Sequence, residues 1–365
     1  MASSMQTVPA FEDAWIECLG DLARYRMSIE DENHNDREAR DKAPTTGRLY
    51  HHLAILARPN ALQQLFYYAK SLCVPVPFLS SRESIMTLFD PHLNGIPTRL
   101  QEIDAAFVRA HGVLFSGKSS EMFAPSVTEF IDNLDGHIEH TKKGGPYSDR
   151  KRRLESSYYI AIALGCAMLE YSSESNVIMM AIKSSRTERA EAAEEGADWQ
   201  MVDPKIFIPS LNFLHALNFA TRTYNVVFRR FADPNANIYL YMPWKLVSLI
   251  SNELMKTCSS VDRIESKDFP RPSKETPRPL PEDFVQHGLL WVSSYYPDDW
   301  FTLKLDDDEK YIEADSMTEE RKEKCLWLAC CLASSGNWLT YDKSTRQFGV
   351  PPNYDHKPRE SGSVK

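Results

Sequence analysis

The sequence predicts an all-α protein, and three observations support this class. Apolar residues recur at helical spacing in nearly every long segment, whereas alternation with a period of two is scarce before the C-terminus. Glycine accounts for only 14 of the 365 residues. The hydrophobic fraction of 42% and the charged fraction of 25% are typical of globular chains and exclude disordered, collagen-like and low-complexity classes. The length suits two or three domains or one extended helical array.

The N-terminal part of the chain predicts a single helix followed by a helical hairpin. The first helix carries apolar residues at positions 11, 15, 18, 19, 22 and 25. The hairpin consists of helices over 47–57 and 61–73. Between them, Pro59 halts the first helix and Asn60 can cap the second. The Val-Pro-Val-Pro run over 74–77 then ends the pair.

The middle of the chain predicts a helical bundle. Ser80 and Glu83 have the spacing of a capping box, which starts a short helix that Pro91 and Gly95 terminate. Pro243 either kinks the last helix of the bundle or shifts its start. The predicted helices cover 98–115, 126–141, 149–182, 204–231 and 237–256, and the third of these is apolar enough to be central and buried.

Composition changes near residue 259. Five prolines among charged residues over 259–281 predict an extended strap. Helices over 282–294 and 318–334 follow, and the segments 338–341 and 347–350 predict a short C-terminal β-hairpin. The predicted regions are a tail (1–10), a hairpin region (11–78), a bundle (79–258), the strap (259–281), a C-terminal part (282–350) and a disordered polar tail (351–365).

The charge and cysteine content limit the function. With 42 Lys and Arg against 51 Asp and Glu, the net charge is −9, so any nucleic-acid binding must depend on a local patch or on partners. The 7 cysteines include no CxxC pair, which argues against a disulfide framework or a zinc site and favours a reducing compartment. Neither a signal peptide nor a membrane span is predicted.

The sequence contains none of the common catalytic motifs. Nucleophile elbows, P-loops, dinucleotide fingerprints and HExxH are all missing, so we expect no enzyme activity, no cofactor and no metal. His137 and His140 have metal-compatible spacing, but no second ligand pair lies nearby in sequence. Residues 306–309 are acidic and predict an exposed loop more readily than a cation site.

Two groups of residues are candidate binding sites. The first is a basic cluster that could hold phosphate backbone or act as a nuclear import signal, or could simply be a solvated helix start. In the second, the guanidinium of Arg24 could grip a phosphate while the Tyr25 hydroxyl donates a further hydrogen bond, although a buried Arg–Asp pair is the alternative. The basic cluster consists of Lys142, Lys143, Arg150, Lys151, Arg152 and Arg153.

Several stretches together resemble the Est/SMG family, whose members serve telomerase and nonsense-mediated mRNA decay. Their order and separation, from about Phe11 to Val350, carry the resemblance more than any single motif. The stretches are LGDLARYR (19–26), LAILA (53–57), FYYAKSL (66–72), VPF (76–78), AFVRAHG (106–112), MPWKLVSL (242–249) and PLPEDF (279–284).

The resemblance implies a 14-3-3-like fold with TPR-type hairpins, followed by an Est-type DNA/RNA-binding region. It implies a non-catalytic adaptor of the nucleus and cytoplasm that binds phosphorylated decay or telomerase proteins, with Arg24 and Tyr25 on the family's phosphate-gripping pair. The alternative it leaves is direct binding of RNA or single-stranded telomeric DNA through the basic cluster.

The chain departs from the family in two places. Only ten residues precede Phe11, where the family carries helices with a second phosphate-binding cation. A further family helix is missing, because residues 36–42 run almost directly into 45–47. We therefore expect an N-terminally truncated groove and an apolar hairpin face that lacks its usual cover.

Overall fold

A helical hairpin opens the part of the chain that the computed structural model describes. The described residues are 43–96, 100–142, 147–184, 208–232, 242–259, 261–271, 278–292, 295–303 and 317–355. The predicted first helix lies outside these ranges. Helices α1 (Gly47–Leu56) and α2 (Ala61–Leu72) form the hairpin, and the Asn60 side chain accepts a hydrogen bond from the Gln63 N–H, as a cap does.

The remaining described elements confirm the all-α class and the C-terminal β-hairpin. The strands pair antiparallel with Tyr341 opposite Phe348. The elements are α3 (Ser81–Ser84), α4 (Met86–Leu93), α5 (Glu102–Ser116), α6 (Phe123–Lys142), α7 (Tyr147–Met168), α8 (177–184), α9 (Leu211–Ala232), α10 (Trp244–Met255), α11 (Val261–Ile264), α12 (Pro281–Gln286), α13 (Met317–Ser334), β1 (Thr340–Asp342) and β2 (Gln347–Gly349).

The chain divides into two compact units built from separate stretches of sequence. Unit 1 takes Met1–Phe123, Leu154–Pro209 and His287–Val292, and unit 2 takes Ala124–Arg153, Ser210–Gln286 and Ser293–Lys365. The short C-terminal segment of unit 1 is tied to the hairpin, because the Leu290 N–H donates to the Cys73 carbonyl at 3.0 Å. Residues far apart in sequence therefore complete one core.

Each unit has its own aromatic core. In unit 1, Phe66 on α2 stacks on Tyr159 of α7 with ring centroids 4.9 Å apart. In unit 2, Phe130 of α6 meets Phe219 of α9 edge to face at 5.6 Å. A second apolar cluster of unit 2 joins α10, α11, α13 and the β-hairpin, and its buried members are Met255, Ile264, Leu326, Trp327, Ala329, Leu339 and Phe348.

The helix predicted over 149–182 is broken after Met168. Glu170, Tyr171 and Ser172 all have positive φ, between 48° and 67°. The buried Asn176 holds this turn, since its amide donates to the Met168 carbonyl and its oxygen accepts from the first N–H groups of α8. The Tyr171 hydroxyl also lies 2.8 Å from His111 Nδ1. These tertiary contacts override the continuous apolar pattern.

Four smaller expectations also differ from the structure. The capping box at Ser80 does not form, because its side chain makes no cap hydrogen bond, and Pro91 lies within α4 rather than ending it. The predicted strap begins with the helical turn α11, since Ile264 is fully buried in the unit 2 core. The predicted tail includes a 3-10 turn at Pro352–Tyr354, while residues 356–365 lie outside the described part.

Pro243 shifts the start of α10 to Trp244, one of the two predicted alternatives. Leu53, Ile55 and Leu56 of α1 are each partly buried. Among the described helices, none is long and apolar enough to cross a membrane.

Candidate functional site

Only some of the predicted binding residues lie in the described part of the chain, and for those the structure describes the backbone. Arg24, Tyr25 and Lys143 lie outside the described residues. Lys142 is the last residue of α6, and the four cations Arg150–Arg153 occupy the start of α7, with their side chains outside the described part. The N-terminal end of a helix adds a partial positive charge to such a cluster. The described backbone therefore places Lys142 and Arg150–Arg153 on the two helix ends that flank residues 143–146.

Ion pairs within unit 2 hold the helix that ends at Lys142. Asp135 on α6 lies 3.8 Å from the guanidinium of Arg229 and 3.5 Å from that of Arg230, both in the last turn of α9. The Arg side chains are about four-fifths buried, with exposures of 21% and 17%. The C-terminal half of α6 is therefore positioned by α9 as well as by its own apolar face.

The FYYAKSL stretch forms part of the unit 1 core. Lys70 is buried on α2, with its ammonium 4.5 Å from the centre of the Tyr50 ring and 5.8 Å from that of Phe66. Burial lowers the pKa of Lys70 from 10.5 to about 7. The lysine in this otherwise apolar run is the only sequence signal for the arrangement. This residue acts on folding rather than as an accessible cation.

Replacing Lys70 with Met should change how stability depends on pH. Between about pH 7 and 10.5 the unfolded chain binds one more proton than the native state, so the free energy of unfolding rises with pH in this window. Lys70→Met should flatten that rise and stabilise the protein at pH 7 by about 2–4 kcal/mol. Urea midpoints at pH 7 and 9.5 measure the effect.

Lys118→Met is the matched control, because Lys118 is exposed in the same unit. It should leave both the midpoint and its pH dependence close to those of the parent protein. An unchanged rise with pH in Lys70→Met would contradict the assignment.

The PLPEDF stretch forms a buried polar centre in unit 2. The Asp283 side chain is almost fully buried and accepts two hydrogen bonds from the Lys324 ammonium, at 2.7 Å to Oδ1 and 2.6 Å to Oδ2. Its carboxylate also accepts from the Leu280 N–H, the Tyr296 hydroxyl and the Trp300 indole N–H at 3.0–3.1 Å. Five hydrogen bonds from four donor groups thus satisfy one buried carboxylate.

This centre connects the PLPEDF stretch to α13. The Lys324 ammonium also lies 5.1–5.7 Å from the ring centres of Phe269, Tyr296 and Trp300. Beside it, Arg321 and Glu282 form a two-point ion pair, with 2.9 Å between Nη2 and Oε2. Glu282 and Asp283 are therefore each paired with a cation of α13, and these pairs join the two helices within unit 2.

The other family-like stretches also supply scaffold contacts. In AFVRAHG, His111 is fully buried against Tyr171, and burial lowers its pKa to about 3. A Cβ at Gly112 would lie 3.2 Å from the Phe89 ring, so close packing of α4 on α5 favours glycine there. In MPWKLVSL, Trp244 stacks on Trp338 at the surface of unit 2.

Side chains that could bind a metal do not form a cluster in the described part of the chain. No group of three or more His, Cys, Asp or Glu residues could hold a metal there. His51 is buried, with Nδ1 3.0 Å from the Ser81 hydroxyl. Cys325 and Cys331 are exposed on α13, and residues 306–309 lie outside the described ranges.

Short stretches of the chain match known proteins. No family model matches the chain. It is 38% identical over 81 residues to the telomerase-binding protein EST1A of Danio rerio, a match that covers 20% of this chain and 5% of that protein. It is 32% identical over 108 residues to the nonsense-mediated mRNA decay factor SMG7 of the same organism, covering 28% of this chain and 9% of that protein.

The helical hairpin and bundle define an all-α protein with a minor β-hairpin. The two matches confirm the resemblance of the chain to the Est/SMG family. Each match spans less than a tenth of the relative's length.

Proposed function

We propose that this protein is a non-catalytic adaptor that assembles mRNA-decay or telomerase complexes in the nucleus and cytoplasm by holding phosphorylated protein segments. The observation that carries the proposal is the similarity to both a telomerase-binding protein and a decay factor. The scaffold roles of FYYAKSL, AFVRAHG and PLPEDF support it, because these stretches stabilise helices without presenting reactive groups.

Arg24 and Tyr25 are the proposed phosphate-binding residues. A guanidinium binds a phosphate through two parallel hydrogen bonds, and a phenol hydroxyl adds a third donor. Net charge −9 is compatible with this mode, since a short phosphopeptide needs one or two matched cations rather than a broad basic surface.

Affinity purification of the full chain from cell extract tests the adaptor. Decay or telomerase proteins should be recovered after nuclease treatment and lost after phosphatase treatment. Arg24→Ala should weaken their binding by about 2–3 kcal/mol, on the order of 30- to 150-fold, because a charge-assisted contact is lost. Arg26→Ala, a like substitution two residues away, is the control. Equal recovery of phosphorylated and dephosphorylated partners would refute the phosphate role.

A second candidate function is direct binding of RNA or single-stranded DNA. The basic cluster favours it, since Lys142 and Arg150–Arg153 flank one connection between α6 and α7. The chain's overall negative charge opposes it, so binding would depend on this cluster alone.

A salt titration with labelled single strands separates the two functions. Replacing the four residues Arg150–Arg153 with Gln should lower the affinity and reduce the salt slope by about 3, given roughly 0.7 per phosphate contact. The control replaces four exposed lysines of the described part, Lys118, Lys256, Lys267 and Lys343, with Gln at the same change in net charge. A flat salt response in the parent protein would leave only partner binding.

A further inference from the structure

Two cysteines meet in the core of unit 1. Cys73 directly follows α2, Cys166 lies in the last turn of α7, and both are fully buried free thiols. The Phe66–Tyr159 stack sets their register, because each cysteine lies about two helical turns beyond its ring. The two thiol groups are in hydrogen-bonding contact with each other. The fold thus places a pair of sulfur atoms between two segments that are far apart in sequence.

The polar groups around the pair are buried as well. The Lys70 ammonium interacts electrostatically with the Cys166 sulfur, and the Tyr171 hydroxyl interacts with both thiol groups. Burial raises the pKa of the Cys166 thiol well above its usual value, and the Lys70 ammonium only partly opposes this shift. Cys166 is therefore a neutral thiol at pH 7, so it reacts only when the core opens locally.

Backbone hydrogen bonds fix the chain at both cysteines. The Cys73 N–H donates to the Lys70 carbonyl, and the Cys73 carbonyl accepts from the Leu290 N–H, each at 3.0 Å. The Cys166 carbonyl accepts from the Tyr171 N–H at 2.8 Å. Two groups held in contact react with each other far more readily than the same groups in free solution. The fold therefore favours a bond between these two sulfur atoms over pairing with a more distant cysteine.

We infer that Cys73 and Cys166 form a reversible disulfide that locks α2 to α7 when a thiol oxidant acts on the protein. Two S–H bonds break and one S–S bond forms. The two electrons and two protons pass to the oxidant, such as the N=N bond of an azo compound, which becomes a hydrazine. A dithiol returns both and restores the thiols. Closing a loop of about 90 residues restricts the unfolded chain and so stabilises unit 1. This redox site goes beyond the proposed adaptor function and does not depend on it.

Oxidation of the full native chain with diamide, an azo oxidant, tests the inference. The remaining thiols are then alkylated in urea, and the tryptic peptides are analysed by mass spectrometry. Residues 71–82 and 154–183 form tryptic peptides that each contain a single cysteine, so a link between them identifies the bond. This link should form in most chains and should disappear after dithiothreitol. Its formation should raise the urea midpoint by about 1 M.

Two variants serve as controls. Cys325→Ser combined with Cys331→Ser removes the exposed thiols of α13 and should leave the link and the midpoint shift unchanged. Cys166→Ala should abolish both. If Cys73 and Cys166 are still alkylated after the exposed cysteines are oxidised, the inference is overturned. A link that forms only when the oxidation is done in urea would also overturn it, since the folded core would then not pair these thiols. A link that lowered the midpoint would overturn the locking role.

Discussion

Gly288→Ala should lower the free energy of unfolding by about 3–5 kcal/mol. Gly288 has φ +84°, a region that L-residues adopt only with strain, and an added Cβ would lie 1.9 Å from the Pro44 carbonyl oxygen. The obstacle is backbone, which cannot rotate away as a side chain can. The segment His287–Val292 packs in unit 1, so its displacement would also disturb the Leu290–Cys73 hydrogen bond. Urea unfolding followed by circular dichroism measures the loss.

Gly95→Ala separates the two causes of that loss, which are the backbone strain at positive φ and the clash of the added Cβ with Pro44. Gly95 belongs to the same unit and has φ +67°, but a Cβ there meets nothing within 4 Å. It should therefore cost only the conformational strain, about 1 kcal/mol. Equal destabilisation by the two substitutions would show that the close approach of Gly288 to Pro44 does not contribute.

Asp283→Ala should destabilise unit 2 by about 3–5 kcal/mol, because it leaves the Lys324 ammonium buried without its carboxylate. Lys324→Met should cost less, about 1–3 kcal/mol, since Asp283 would keep the Leu280 N–H, the Tyr296 hydroxyl and the Trp300 N–H as donors. Urea midpoints of the two variants measure this order.

Asp299→Ala is the matched control for a carboxylate in an ion pair. Asp299 makes two hydrogen bonds to Arg271, at 2.6 and 2.7 Å, but at an exposed position. Solvent and salt screen such a pair, so the midpoint should scarcely move. We expect Asp283 to retain more hydrogen bonds than Lys324 when its partner is removed. A loss of stability in Lys324→Met equal to or greater than that in Asp283→Ala would contradict this expectation.

Local patterns predicted much of the secondary structure. The bounds of α1, α2 and α13 fall within about one residue of those predicted from apolar spacing, Pro59 and Asn60. The basic cluster is also visible in the sequence, because its cations are contiguous along the chain. The stacked pair Trp244 and Trp338 was not predictable, since nothing in either local sequence points to the other.

By itself, the sequence determined the all-α class, the limits of α1, α2 and α13, and the C-terminal hairpin, because these depend on the spacing of neighbouring residues. It also carried the resemblance to the Est/SMG family, through the order of short stretches along the chain. Only the tertiary structure decided the break after Met168, the burial of Lys70 and the Asp283–Lys324 pair, whose partners are 41 residues apart. The physical reason is that periodicity reports which residues avoid water, whereas the free energy of a buried polar group depends on which distant donor or acceptor the fold brings to it.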